Sequence, residues 1–392
     1  MLEVEDLAYL DNAATTYPKP ERVYQIADEF YRRCGGNAGR GANPLARKGE
    51  EMIAEARAML SDWLGAPSPE RVIFTPSATI ALNLSILGAG LRAGDVAYAT
   101  PFEHNSVLRP LEHLRQAAGI VVQEMPFDRH TLACQLDRLA VQFHADPPAM
   151  VCITQASNVC GAMPSVVRVA RLAKETNPEV VVIVDGAQTA GLYPLPLEDN
   201  LIDAYIFSGH KSLYGPYGVA GAVMGADWQP APLIFGGTGT VSESLMMPTD
   251  LPSAYEAGSH NVWSIAGLRA ALEWLHETGR EVIVDHTLEL AEQLRAGLDV
   301  LPGVQVVAPP RGAPWCGILS FTIESVQPQA VEAALGARQI AVRAGLHCAS
   351  WAHRWLGTMD GGGTVRLSPA YFNQPNDVLR LIEALSSLVR AQ

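Results

Sequence analysis

Asp185 and Lys211 are the residues of this 392-residue chain that first invite a chemical reading. Asp185 follows the apolar run Val180–Val184, and Lys211 closes the run Phe207-Ser208-Gly209-His210-Lys211, 26 residues on (211 − 185). A carboxylate behind five apolar residues needs a partner, because an unpaired buried charge is costly. Capping the next helix is one ordinary use for it. Lys211 is one of only four lysines, with Lys19, Lys48 and Lys174, among 28 basic residues (28 − 4 = 24 arginines). Where arginine supplies the surface charge, a lysine in an apolar neighbourhood points to the chemistry of its amine.

The elements that must carry these groups alternate between short β-branched runs and helical stretches from about residue 50 to 225. Strands are predicted at Val72–Thr75, Val96–Tyr98, Val121–Glu124, Met150–Thr154, Val180–Val184, Ala204–Phe207 and Val219–Val223. Several are apolar throughout, as strands buried on both faces are. Glu50–Leu64 and Val166–Glu175 read as helices between them. The alternation predicts an α/β domain with a mostly parallel sheet, whose ligands bind beyond the carboxyl ends of the strands. Two consecutive strand ends then deliver an acid, Asp185, and an amine, Lys211, to one sheet edge. Pyridoxal 5′-phosphate requires that pair: an amine to form an imine, and an acid to keep the pyridine nitrogen protonated as an electron sink. Ser77-Ala78-Thr79, at a strand-to-helix turn, suits a phosphate, although it also reads as a plain N-cap. From about residue 265 a long helical stretch, short strands near 304–307, 318–323 and 364–367, and a final helix near 376–388 predict a smaller α+β domain.

Composition narrows the rest. Net charge is −13 (28 − 41) with no basic cluster, which argues against a nucleic-acid partner. The six cysteines (Cys34, Cys134, Cys152, Cys160, Cys316, Cys348) are far apart and form no CxxC pair, so they read as free thiols. A metal site through His347, Cys348 and His353 would lack a second ligand cluster, so no metal is expected. No apolar run is long enough to span a bilayer. The acidic start Met1-Leu2-Glu3-Val4-Glu5-Asp6 lacks a signal-peptide layout, and a cytoplasmic location without membrane contact is expected.

Val184-Asp185-Gly186-Ala187-Gln188, Ser208-Gly209-His210-Lys211 and Tyr214-Gly215-Pro216-Tyr217-Gly218 together resemble the fold-type I pyridoxal-phosphate enzymes of aminotransferase class V. The resemblance runs from Tyr9-Leu10-Asp11-Asn12-Ala13-Ala14 to Arg366-Leu367-Ser368-Pro369. It implies a large cofactor-binding domain at residues 15–264, and a small domain from residues 1–14 and 265–392. Lys211 would hold the cofactor as a Schiff base and Asp185 would pair with the pyridine nitrogen. Gln188 and Asn158 would hydrogen-bond the ring hydroxyl, and His104 would stack on the ring. Ser77, Ala78, Thr79, Ser208 and His210 would hold the phosphate. A neighbouring subunit would add Thr238 from Gly237-Thr238, making an obligate homodimer. Arg366, Asn12 and Ala14 would contact substrate. Read alone, His104 also fits an ordinary histidine and Asn158 a turn residue.

Cys348 sits in Arg343-Ala344-Gly345-Leu346-His347-Cys348-Ala349, after a predicted strand at Ile340–Val342. Arg343 and His347 are near enough in sequence to lower its thiol pKa. The segment resembles the motif of cysteine desulfurases whose catalytic cysteine lies on a short, ordered loop. That resemblance implies L-cysteine as substrate, Arg366 on its carboxylate, a persulfide on Cys348, alanine as product and a sulfur-acceptor protein or thiol as partner. Three places depart from the family: Arg40-Gly41-Ala42-Asn43, where many members have Arg-Gly-x-His; Leu346, often a second histidine; and Ser350-Trp351 after Cys348-Ala349, where a proline is common. These bear on substrate more than on cofactor. A selenocysteine lyase, C–S lyase, aminotransferase or epimerase would leave Cys348 incidental. A non-enzymatic partner in a sulfur-transfer assembly is the third reading, against which Lys211, Asp185 and Arg366 all speak.

Overall fold

The apolar runs become a seven-stranded sheet in the structure, a computed structural model describing residues 6–38, 43–197, 200–239 and 243–390. In chain order the strands of the protein are β1 (Ala8–Tyr9), β2 (Val72–Thr75), β3 (Val96–Ala99), β4 (Val121–Glu124), β5 (Pro148–Thr154), β6 (Val181–Asp185), β7 (Ala204–Ser208), β8 (Ala220–Met224), β9 (Val304–Val307), β10 (Leu319–Ile323), β11 (Ile340–Ala341), β12 (Arg343–Gly345) and β13 (Thr364–Leu367). The large sheet runs β2-β8-β7-β6-β5-β3-β4. Its ladders are parallel except where β8 meets β2 and β7. The carboxyl ends of β2 to β7 therefore share one edge. The expected mostly parallel α/β sheet is what forms.

Alternation along each strand divides the interior in two. Phe74, Val151, Ile153, Val182, Val184, Tyr205 and Phe207 face helices Pro44–Leu64, Val166–Thr176 and Val262–Thr278. Ile73, Ala97, Ala99, Cys152, Ile183, Ile206 and Ala222 face Ala78–Leu87 and Asn105–Ala117. Both faces are covered, so even the antiparallel β8 is buried throughout. No helix among the described residues is long and apolar enough to cross a membrane.

The smaller unit is a four-stranded antiparallel sheet, β12-β13-β10-β9. Its core joins Leu319, Phe321, Val365 and Leu367 to Leu381 and Leu385 of helix Pro375–Arg390. Ala8 and Leu10 enter the same core, because β1 pairs in parallel with β11. The expected 264/265 boundary falls inside the continuous helix Val262–Thr278, whose Ile265, Leu268, Leu272 and Leu275 belong to the large core. In the next helix, Arg280–Asp299, Ile283 packs with the large core and Leu290, Leu294 and Leu298 with the small one. We place the change of core there, a little beyond the expected point.

Gly221 shows how tightly β8 is held. It lies opposite both Phe74 and Phe207, and a Cβ built on it would stand 1.8 Å from the Ile73 carbonyl oxygen. That atom is strand backbone and cannot step aside. Gly221→Ala should lower the free energy of unfolding by about 1–3 kcal/mol, measured by denaturant titration; an unchanged midpoint would contradict this packing.

Candidate active site

Five strand ends meet at the shared edge. Ser77–Thr79 follow β2, His104 follows β3, Asn158 follows β5, Asp185 ends β6 with Gln188 beyond it, and Ser208 ends β7 with His210 and Lys211 beyond it. Ser77, Ala78, Thr79, His104, Asn158, Asp185, Gln188, Ser208, His210 and Lys211 all line one cavity of about 210 Å³. The sequence placed these residues one strand end at a time, and the sheet order brings them together. The turn carrying Lys211 is fastened through the His210 carbonyl, which accepts from Thr15 Oγ1 (2.9 Å) and Lys19 Nζ (2.8 Å).

The charges in this cleft are few. Burial pushes the Lys211 amine down to about 8, partly offset by Asp185. Burial raises the Asp185 carboxyl, opposed by the Ala187 N–H on Oδ1 (2.9 Å) and by Lys211. His104 caps helix Asn105–Ala117: its Nδ1 accepts from Ser106 N at 3.1 Å. That nitrogen therefore carries no proton, and burial holds the ring neutral, its pKa pushed down to about 4. His210 stacks on Tyr217 at 4.4 Å and is likewise held neutral by burial, at about 3. The Ser77 end of the cleft thus offers hydroxyls, neutral imidazole and the first N–H groups of helix Ala78–Leu87, whose dipole favours an anion.

The residues fit pyridoxal 5′-phosphate on four observations. An amine and a carboxylate face one cavity with a helix N-terminus at its other end. Asn158 donates Nδ2–H to the His347 carbonyl (2.7 Å) and leaves its buried Oδ1 without a partner. His210 Nδ1 is buried and unpartnered as well. Gln188 gives its Nε2–H to the Ala13 carbonyl (3.0 Å), so it offers the cleft its oxygen.

At the small-domain side, Arg366 is 2% exposed. It donates to Asp11 Oδ1 (2.7 Å) and to the Asn158 carbonyl (3.0 Å), while its Nε has no partner. Arg343 lies directly opposite it across β12 and β13. Opposed like charges are unfavourable in a sheet, and an anion beside them would relieve the repulsion. Strand β12 was not expected; it is three residues long and is created by pairing with β13.

Cys348 is exposed, whereas Cys34, Cys152, Cys160 and Cys316 are buried and Cys134 is half-buried. Its loop is short and fixed. His347 and Cys348 both take the left-handed backbone region (φ +47° and +55°). The His347 carbonyl accepts from Asn158, and the Cys348 carbonyl accepts from Asn105 N at 2.7 Å. The positive charge expected at His347 is not there. The His347 ring is buried against Thr364, 3.0 Å from its Oγ1, and burial pushes its pKa down to about 2, so it brings no positive charge.

Two other expectations change, for Asn12 and Ala14. Asn12 has its amide taken up by Ser368 O, Asn373 Oδ1 and Tyr17 N, and it lines a smaller cavity behind Lys211 rather than the Asp185 cleft. It is a structural joint, not a free substrate ligand. Ala14 lines neither cavity. Thr238 lines a separate cavity with Ser259 and His260, so within one chain it stands apart from Lys211. Arg40, Gly41 and Ala42 fall outside the described residues, while Asn43, the departing residue, caps helix Pro44–Leu64 with its Oδ1 accepting from Leu45 N and Ala46 N. Two residues escaped notice in the sequence: Asp11, which fixes Arg366, and Glu103, beside His104 and fully buried.

Known proteins match this arrangement over nearly the whole chain. A protein 32% identical over 97% of this chain and 92% of its own length is a probable cysteine desulfurase of Halalkalibacterium halodurans. Another, from Methanothermobacter thermautotrophicus, is 31% identical over 98% of this chain and 95% of its own, and is also a probable cysteine desulfurase. Among solved structures, a cysteine desulfurase from Thermococcus onnurineus NA1 superposes with TM-score 0.91 at 28% identity, covering 98% of this chain and 95% of that one. One from Escherichia coli gives 0.84 at 28% identity with the same coverage. The family model described as Aminotransferase class-V matches residues 8–381, and the chain belongs to that family.

Proposed function

We propose that the protein is a pyridoxal-5′-phosphate-dependent cysteine desulfurase that converts L-cysteine to L-alanine and leaves the sulfur as a persulfide on Cys348. The observation that carries this reading is the exposed Cys348 on a loop tied at two successive carbonyls to Asn158 and Asn105, both beside the cleft of Lys211. An enzyme of the same family that did not use a thiol would have no need of that arrangement.

The cofactor, held by Lys211, would supply an electron sink to the substrate Cα. Arg366 and Arg343 bind the substrate carboxylate, through the Arg366 Nε and the hydrogens that Asp11 and Asn158 do not use. Asp11 keeps the guanidinium in place while that happens. Lys211, with its amine neutral, would move the Cα proton. Cys348, as its thiolate, attacks the substrate sulfur: an S–S bond forms, the C–S bond breaks, and the carbon end takes up a proton to become alanine. His104, neutral, covers the ring without adding charge.

The cup for the phosphate would be completed by Thr238 of a second subunit, in a homodimer. Phe235, Leu245 and Met246, all strongly exposed on the segment around Thr238, support a partner lying there. A sulfur-acceptor protein or thiol would empty Cys348, and six unpaired cysteines suit a reducing cytoplasm.

Three measurements bear on this. Protein mixed with L-cysteine should form equal amounts of alanine and Cys348 persulfide; Cys348→Ala should lower sulfur release by about a hundredfold or more, and full activity in that variant would remove the assignment. Capture of added pyridoxal 5′-phosphate needs an unprotonated Lys211, which is protonated below its pKa. The capture rate should therefore rise with pH and level off above about 8, and a flat or falling profile would contradict the site described. His347→Ala should keep the cofactor absorbance yet speed hydrogen exchange at amides 346–349, because the loop loses its anchor on Thr364.

A further inference from the structure

Glu103 is a carboxyl group that the reaction above does not use. It is 0% exposed, and it immediately precedes His104. Its Oε1 accepts from Thr100 Oγ1 (2.7 Å) and from Thr154 N (2.6 Å). Its Oε2 is buried and has no donor. Thr154 ends β5 in register with Asp185 on β6, so a second acid lies under the same strand ends. The other ionisable groups that face this pair are Cys152 and Tyr205, both fully enclosed, and Lys211 beside Asp185.

An ionised Glu103 would leave one carboxylate oxygen bare in an enclosed place and repel Asp185. Two acids sharing a site avoid this by keeping a proton on one of them. Asp185 faces the cleft and Lys211, and is the one that a bound cofactor needs charged. Glu103 faces only neutral donors. Burial, together with Asp185, also raises its carboxyl pKa, to about 8.

We propose that Glu103 is a positioning residue that keeps its proton on Oε2 and acts as an uncharged strut. Its Oε1 ties the ends of β3 and β5 together beneath the cleft, setting His104 and the Thr154–Asn158 segment, while Asp185 remains the only anion of the floor. The role as a strut for cofactor binding rests on reading the cleft as a pyridoxal-phosphate site; the protonation does not.

The test compares the protein loaded with pyridoxal 5′-phosphate with its Glu103→Gln and Glu103→Ala variants. Glutamine keeps an oxygen for Thr100 and Thr154 and adds no charge, so it should leave cofactor affinity and the pH midpoint of the visible absorbance unchanged. If Glu103 is ionised in the parent, glutamine removes a negative charge beside Asp185, the carboxylate that faces Lys211, and moves that midpoint down, which overturns the proposal. Alanine frees both donors and should weaken cofactor binding by about tenfold or more; parent-like binding in that variant would refute the strut. If the alanine variant does not fold, an infrared difference between parent and Glu103→Gln decides the matter. A carboxylic-acid carbonyl band lost in the variant supports the proposal, and its absence from the parent overturns it. Parent protein that takes up no cofactor would remove the cofactor reading alone, since the infrared band still reports the proton on Glu103.

Discussion

A guanidinium sealed from water has to be met by acceptors, and the way Arg366 is met ties the molecule together. Its own strand, β13, belongs to the small sheet. One acceptor, Asp11, comes from the N-terminal segment that follows β1. The other, the Asn158 carbonyl, comes from the loop after β5 of the large sheet. Three stretches far apart in sequence are therefore brought to one cation. Asn12 extends the joint by donating to the Ser368 carbonyl and to Asn373, which in turn holds the Tyr9 carbonyl. Removing Asp11 or turning Asn158 would leave a buried charge in want of a partner, so the small domain cannot swing away from the cleft without loss.

The same economy links the two halves of the chemistry. His104 faces the cofactor cleft and, through Nδ1, caps the helix that starts at Asn105. The Asn105 N–H, one of the free donors of that first turn, is taken by the Cys348 carbonyl. Asn158 faces the cleft with its oxygen and holds the neighbouring His347 carbonyl with its nitrogen. Two residues of the cofactor wall thus set where the thiol loop stands. Glu103, beneath both, ties the strands from which they grow.

The large sheet was legible because parallel strands buried on both faces write their burial as unbroken apolar runs. Asp185 stood out because it ends such a run, and Lys211 because it lies just past the end of the next one. Strands β1 and β12 were not legible: they span two and three residues and exist through partners hundreds or tens of positions away. Direction was the other gap. His347 adjoins Cys348 in the chain, but the left-handed turn sends its ring to Thr364, and no spacing rule contains that. Asn12 carries the right groups for a ligand, yet Ser368 and Asn373 claim them. Glu103 hid in plain view, since what makes it unusual is enclosure by Thr100 and Thr154. The domain boundary slid because one helix runs straight through it, and only burial shows which core each turn serves.

The fixed loop of Cys348 has a consequence for delivery. A thiol whose two flanking carbonyls are fastened, on a backbone of two left-handed residues, can rotate about its side-chain bonds but cannot travel. On the proposed reaction the reach must come from the receiving side. The acceptor would have to come to the thiol, which stands exposed on its loop.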